Sequence, residues 1–210
     1  MSAICMIAAP LLAAAGTALG IPIYQASGVA FVHAIARQPV VAQLALNLTV
    51  AGIVLFMLAT VAIAHRIAVV RPGLGRSAGV MAIVGLAGPV FFEGIYWSTT
   101  QDLGGDLDAL GTLMDRAQIV PRTIMNISGP ALVIGFVLLG VGAAVAGQLG
   151  RVRAGLLAAA ALMPFGFITG YLALATAGFV CAAVALVPWG IRLLMPAGAG
   201  PVPDVPGAVA

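Results

Sequence analysis

Lysine is absent from this chain of 210 residues, and glutamate occurs once, as Glu93. Only 7% of the residues are charged, against about 25% in a soluble domain, so a water-facing surface has too little to solvate it. The two cysteines, Cys5 and Cys181, lie far apart without a CxxC spacing, which gives no basis for a disulfide framework or a thiolate metal site. The sequence also lacks HExxH, GxxxxGKS and GxSxG patterns and any paired carboxylates. No enzyme signature and no cofactor are therefore expected. What is present is apolar: 62% hydrophobic residues and a mean hydropathy of +1.17 place the chain in a membrane.

Nine arginines against six acids leave a net charge of +3. The arginines do not gather on one face or in one run, as a nucleic-acid surface requires, so no nucleic-acid partner is expected. They punctuate apolar stretches, which is the pattern of membrane topology. An apolar run of about 20 residues spans a bilayer as a helix. Such runs lie near 2–21, 41–64, 77–98 and 123–147, and the stretch 154–191 is long enough for two short spans, 154–171 and 174–191, divided by a turn within Gly170–Gly178. The expectation is an all-α integral membrane six-helix bundle over 1–195, followed by a Pro/Gly/Ala-rich tail, 196–210, expected to be disordered. The segment 65–76, read as a loop, holds Arg66, Arg71 and Arg76 without an acid, and 148–153 holds Arg151 and Arg153. Positive-inside places these loops and both termini in the cytoplasm of a bacterial cell, with the protein in the cytoplasmic membrane. The first segment lacks a basic start and is long for a signal peptide, so it is read as a retained span, with cleavage as the competing reading.

Scarce residue types recur at fixed offsets. A shift of 79 residues superposes Pro10 on Pro89, Arg37 on Arg116, Asn47 on Asn126 and Thr49 on Ser128. A shift of 75 superposes Arg76 on Arg151, Pro89 on Pro164 and Tyr96 on Tyr171. Three related helical hairpins inserted in the same orientation account for this pattern, which membrane proteins do use. Coincidence in a biased composition is the alternative. Each in-helix proline frees a carbonyl one turn earlier, and three at equal depth are expected to kink three helices and open a cavity on the outer side. The GxxxG pairs Gly16–Gly20 and Gly166–Gly170 are read as contacts within the molecule.

Polar residues fall in one layer. "GPVFFEGIYWSTTQD", residues 88–102, sets Glu93, Tyr96, Trp97 and Thr100 on one face of the third span. By helical rise Glu93 lies roughly 24 Å from the cytoplasmic end, and Asn47 and Asn126 lie within about 9 Å of the outer ends of their spans. Gln43 shares a face with Asn47, and Arg122 shares one with Asn126. The reading is an inward Glu93 paired with Arg122, with Asn47, Asn126, Tyr96 and Gln43 nearby as candidate ligand-binding residues, because a carboxylate within a span marks a functional site. A structural Glu93–Arg122 clamp behind an ordinary aromatic belt fits the same residues.

Outside the spans, 105–119 carries Leu107, Leu110, Leu113, Met114 and Ala117 on one stripe, and 28–37 aligns with it in the repeat. Both are expected to be short amphipathic helices in the outer interface. Asp102, Asp106 and Asp108 lack the further ligand of a calcium loop and are read as capping and solvating residues. His33 and His65 fall on opposite sides, so they cannot share a metal.

The order of elements resembles that of small actinobacterial polytopic membrane proteins grouped under domains of unknown function. The resemblance runs over residues 5–192 as a pattern, with "ARQPVVAQLALN" at 36–47 as its most specific stretch. It implies the multi-span architecture and brings no activity or site residues. Three functions compete. The first is binding or movement of a lipid or small amphiphile at the outer-leaflet polar layer, and the second is a non-catalytic accessory subunit holding a membrane-protein partner. The third, a lipid-modifying enzyme, needs a second acid, histidine or nucleophile beside Glu93, and the sequence offers only Tyr96, Tyr171 and His33.

Overall fold

A computed structural model describes residues 2–24, 28–101, 104–117 and 119–195; within these, the side chains at 24, 92–101, 117, 119–122 and 168 lie outside the description. The chain is helical, with no strand among the described residues. Its elements are α1 (Ser2–Tyr24), α2 (Gly28–Arg37), α3 (Pro39–Val70), α4 (Pro72–Gln101), α5 (Leu107–Ala117) and α6 (Ile119–Val145). They continue as α7 (Arg151–Ala159), a 3₁₀ turn (Ala160–Leu162), α8 (Met163–Thr169) and α9 (Leu172–Leu194). Five helical segments, within α1, α3, α4, α6 and α9, are long and apolar enough to cross a membrane. Their outward faces carry Leu11, Val54, Leu58, Val84 and Val184, each more than 40% exposed. Apolar faces of this kind are stable when hydrocarbon, and not water, surrounds them.

The apolar segment expected as the span 154–171 is interrupted, and Pro164 supplies the reason. Proline has no N–H to give the carbonyl four residues back, and its ring crowds that carbonyl. The orphaned group is Ala160 O, which accepts instead from the Met163 N–H, so the helix tightens to a 3₁₀ turn. Dihedrals stay right-handed through Ala159, Ala160, Leu162 and Met163, so the segment bends without unravelling. Pro10 and Pro89 sit inside α1 and α4 without ending either helix.

Two connections are shorter than the sequence suggests. Residues 65–76 are not a loop: α3 runs to Val70, α4 starts at Pro72, and Arg71 alone lies between them. A helix can continue because proline is favoured in its first turn, so the chain reverses in a single residue. The turn expected within Gly170–Gly178 is confined to Gly170 and Tyr171, with Gly170 in the left-handed region at φ 71°. Gly178 lies inside α9, packed on Met163 and Ala160. Between α6 and α7, Gly147 at φ 68° lets Gln148 and Leu149 donate back to Ala143 O and so closes the helix.

The long helices form a closed circuit. α1 packs on α3 and α9, α3 on α4, α4 on α6, α6 on α7 and α8, and these two on α9. Glycines set the spacing within the hairpins. A Cβ on Gly16 would come 2.7 Å from Ala45 O, one on Gly52 2.7 Å from Ala13 Cβ, and one on Gly135 2.8 Å from Ala82 Cβ. Gly166 makes the corresponding approach to Ala175. Such contacts gain dispersion energy where lipid offers no hydrophobic drive between helices. The middle of the circuit is filled by Phe56, Phe136 and Phe179 from α3, α6 and α9. Phe56 stands edge-on to the other two, at centroid distances of 5.4 and 6.3 Å.

At one end of the circuit lie α2 and α5, hereafter the capped end; at the other lie the arginine-bearing turns. The two short helices pack on each other, with Phe31, Val32 and Ile35 of α2 buried against Leu107, Leu110 and Met114 of α5. Leu113, expected on the same stripe, is 62% exposed. The residues 196–210, expected to be disordered, lie outside the described residues.

Candidate functional site

The polar groups near the capped end separate into an inner and an outer set. The inner set consists of hydroxyls. Thr17 Oγ1 on α1 donates to Ala13 O at 2.9 Å, and Thr49 Oγ1 on α3 donates to Ala45 O at 2.9 Å. Thr176 Oγ1 on α9 lies 3.0 Å from both Leu172 O and Thr17 Oγ1 and ties α9 to α1. Ser128 Oγ is buried beside Met125 Sδ at 3.9 Å. These groups satisfy one another or their own helices, which removes the penalty of burying them.

The outer set contains the amides. Asn47 is exposed on α3 and accepts from Gln43 Nε2 at 3.1 Å, one turn earlier on the same face. Asn126 is exposed on α6. The two asparagines therefore stand on outward faces of separate hairpins and do not converge inside the bundle. Near the same end, Thr17 is buried while Thr169 and Tyr171 are exposed. Glu93 and Tyr96 lie on α4 and Arg122 on α6, but their side chains fall outside the described residues, as do those of Trp97 and Thr100.

One turn along α6 from Asn126 begins a surface feature that sequence reasoning missed. Between α6 and α8 runs a wholly apolar groove of about 290 Å³, lined by Gly129, Pro130, Val133, Ile134, Pro164 and Phe165. α6 runs away from the capped end and α8 runs towards it. Asn126 is therefore one turn nearer that end than Pro130, and Thr169 one turn nearer than Phe165, each pair sharing a face at i, i+4. Thr169 Oγ1 donates to Phe165 O at 2.6 Å and accepts from the Tyr171 N–H at 3.3 Å, which fixes it at the end of α8. The groove thus has hydrocarbon walls, with Asn126 and Thr169 one helical turn beyond Pro130 and Phe165 towards the capped end. Its signal in the sequence is the pair of prolines, Pro130 and Pro164, which face each other across it.

The cap is held by polar contacts as well. His33 Nε2 lies 2.8 Å from Asp108 Oδ1, joining α2 to α5. Asp106 Oδ1 accepts from the N–H groups of Asp108 and Ala109 at 3.0 and 3.1 Å, capping the start of α5. Asp115 lies against Gly28 at the N-terminus of α2, where the helix dipole favours a carboxylate. Gly28 has φ 55°, a conformation that L side chains rarely adopt, and a Cβ there would displace the Asp115 carboxylate, so glycine is favoured. The superposition of 28–37 on 107–116 hinted that the two helices are equivalent, but not that they pair.

At the opposite end, Arg66 lies over the Trp189 ring at 6.0 Å, and Arg71, Arg76, Arg151 and Arg192 are exposed. No group of three or more His, Cys, Asp or Glu side chains fit to hold a metal occurs among the described residues. Compared with protein-family models, curated proteins and solved structures, the chain matches none.

Proposed function

We propose that this is a six-span protein of a bacterial cytoplasmic membrane, with the kinked α7–α8 segment as its fifth span and both termini cytoplasmic. In this reading it binds, and hands on within one leaflet, a lipid or small amphiphile at the capped, outer end. The single observation that carries the reading is the groove between α6 and α8: apolar walls below, Asn126 and Thr169 above, and Arg122 one turn beyond Asn126 on the same helix. That profile matches a molecule with a hydrocarbon tail and a polar head lying along the bundle. Glu93 and Arg122 then tune the head-binding layer, with Asn47, Gln43 and Tyr96 at its edge.

Three further features support lateral binding over passage through the middle. Phe56, Phe136 and Phe179 fill the centre, the hydroxyls of Thr17 and Thr49 near the capped end are engaged by their own helices, and Asn47 and Asn126 are exposed. The three hairpins of the repeat are read as one structural unit used three times, only the third having its first helix broken by proline. An accessory subunit would instead present a lipid-facing strip of small residues to its partner, whereas Gly16, Gly52, Gly135 and Gly166 are spent on contacts inside the molecule.

Native mass spectrometry of the protein from gentle detergent tests the reading, with wild type beside Val133→Trp, Glu93→Gln and Arg122→Ala. A discrete mass carried by wild type and lost from Val133→Trp is expected, with weaker retention in the other two. A bare wild-type chain, or equal retention by all four, sinks the proposal.

A further inference from the structure

A second cleft lies at the other end of the molecule, between the last turns of α3 and the first turns of α4. It encloses about 480 Å³ and is lined by Val61, His65 and Val69 on α3 and by Arg76, Val80 and Ile83 on α4. The two helices meet at Arg71, so depth is measured from there. His65 and Arg76 stand roughly 9 and 8 Å above the junction, while Val61 and Ile83 stand roughly 15 and 18 Å above it. The basic pair is therefore near the membrane surface and the apolar walls run deeper. Gly75 and Gly79 keep the helices close, a Cβ on Gly75 coming 2.6 Å from Ala64 O, so the cleft is a shallow slot open to the side.

Charge says what fits. His65, Arg71 and Arg76 are all exposed, and no ion pair engages them among the described residues. The described aspartates, Asp106, Asp108 and Asp115, all belong to the capped end, and Glu93 is about 25 Å further along α4 from Arg76. We propose that the α3–α4 cleft binds one anionic phospholipid of the leaflet at the arginine end, its phosphate between His65 and Arg76 and one acyl chain against Val61, Val80 and Ile83. The guanidinium offers paired donors to phosphate oxygens, and the imidazole offers an N–H. The walls replace lipid neighbours that the chain would have had in the bilayer. This site is independent of the capped-end groove, which it does not touch.

The test is competition between headgroups on the full chain. Protein stripped of lipid is offered equal amounts of phosphatidylglycerol and phosphatidylcholine with the same acyl chains, and bound lipid is read by native mass spectrometry. One phosphatidylglycerol per chain is expected to be retained in preference. Arg76→Gln should lower that preference about fivefold, the worth of one basic residue at an anionic surface. Val80→Trp, an exposed position that fills the slot, should remove it while leaving the basic pair intact. Arg151→Gln, at the same end but on α7, should leave it unchanged. Thermal melting of each variant establishes that it is folded. No preference between the two lipids in wild type, an equal loss in Arg76→Gln and Arg151→Gln, or full binding by Val80→Trp would each overturn the assignment.

Discussion

Thr60 is buried in α3 with its Oγ1 lacking any hydrogen-bond partner among the described residues, whereas Thr17 and Thr49 donate to the carbonyl four residues back and Thr176 Oγ1 has Leu172 O and Thr17 Oγ1 each at 3.0 Å. An unsatisfied buried hydroxyl costs about 1–3 kcal/mol, so Thr60→Val is expected to raise stability by roughly 1 kcal/mol. Thermal melts in detergent measure it, and a loss of the same size would mean that the hydroxyl is engaged. At the bundle centre the direction reverses. Phe136 is fully buried against Phe56, and Phe136→Ala is expected to cost about 3–5 kcal/mol by opening a cavity that its neighbours cannot fill. A change below about 1 kcal/mol in denaturant unfolding would show that the aromatic cluster is loosely packed. Neither residue was conspicuous in the sequence. Thr60 was one polar residue in an apolar run, and the phenylalanines meet only because α3, α6 and α9 face the same middle.

Among the elements, the ones legible in the sequence are those whose cause is local. α1, α3, α4, α6 and α9 follow from apolar length alone, and α2 and α5 from their apolar stripes. Elements shaped by distant residues were not legible. α3 and α4 run on through the arginines because these side chains tolerate helix and the turn needs one residue, so charge marked the membrane edge but not the helix end. The pairing of α2 with α5 brings together residues far apart in the chain, His33 and Asp108 being 75 positions apart. Asp106→Ala is expected to cost about 1 kcal/mol, through loss of the cap at the start of α5. Hydrogen exchange should therefore speed up across residues 107–112 and not elsewhere. His33→Ala removes a link whose partners are 43% and 74% exposed, so a smaller change, under about 1 kcal/mol, is expected across α2 and α5. Uniform exchange changes along the chain in either variant would show that the cap has no separate stability.

For the whole molecule, orientation and function are read from the distribution of polar groups. With native cysteines replaced, a cysteine at Arg71 should react with a membrane-impermeant thiol reagent only from the cytoplasmic side, and one at Gly104 only from outside, as arginine placement dictates. Helical rise applied to the sequence sets Glu93, Asn47 and Asn126 at one expected level. It could not tell which faces they occupy. Asn47 and Asn126 look outward because the inward faces at their level are occupied by Gly16, Thr49, Gly88 and Ser128 in close contact.

The claim that an amphiphile is held in the α6–α8 groove is tested most directly by photo-cross-linking. A lipid bearing a photoreactive group in its acyl chain is incorporated into membranes containing the protein and illuminated, and the labelled peptides are identified. Apart from label at the α3–α4 cleft, label concentrated within residues 126–134 and 163–169, and lost from these two segments with Val133→Trp, is the expected result. Label spread evenly over the lipid-facing residues of α1, α3, α4 and α9 would contradict it.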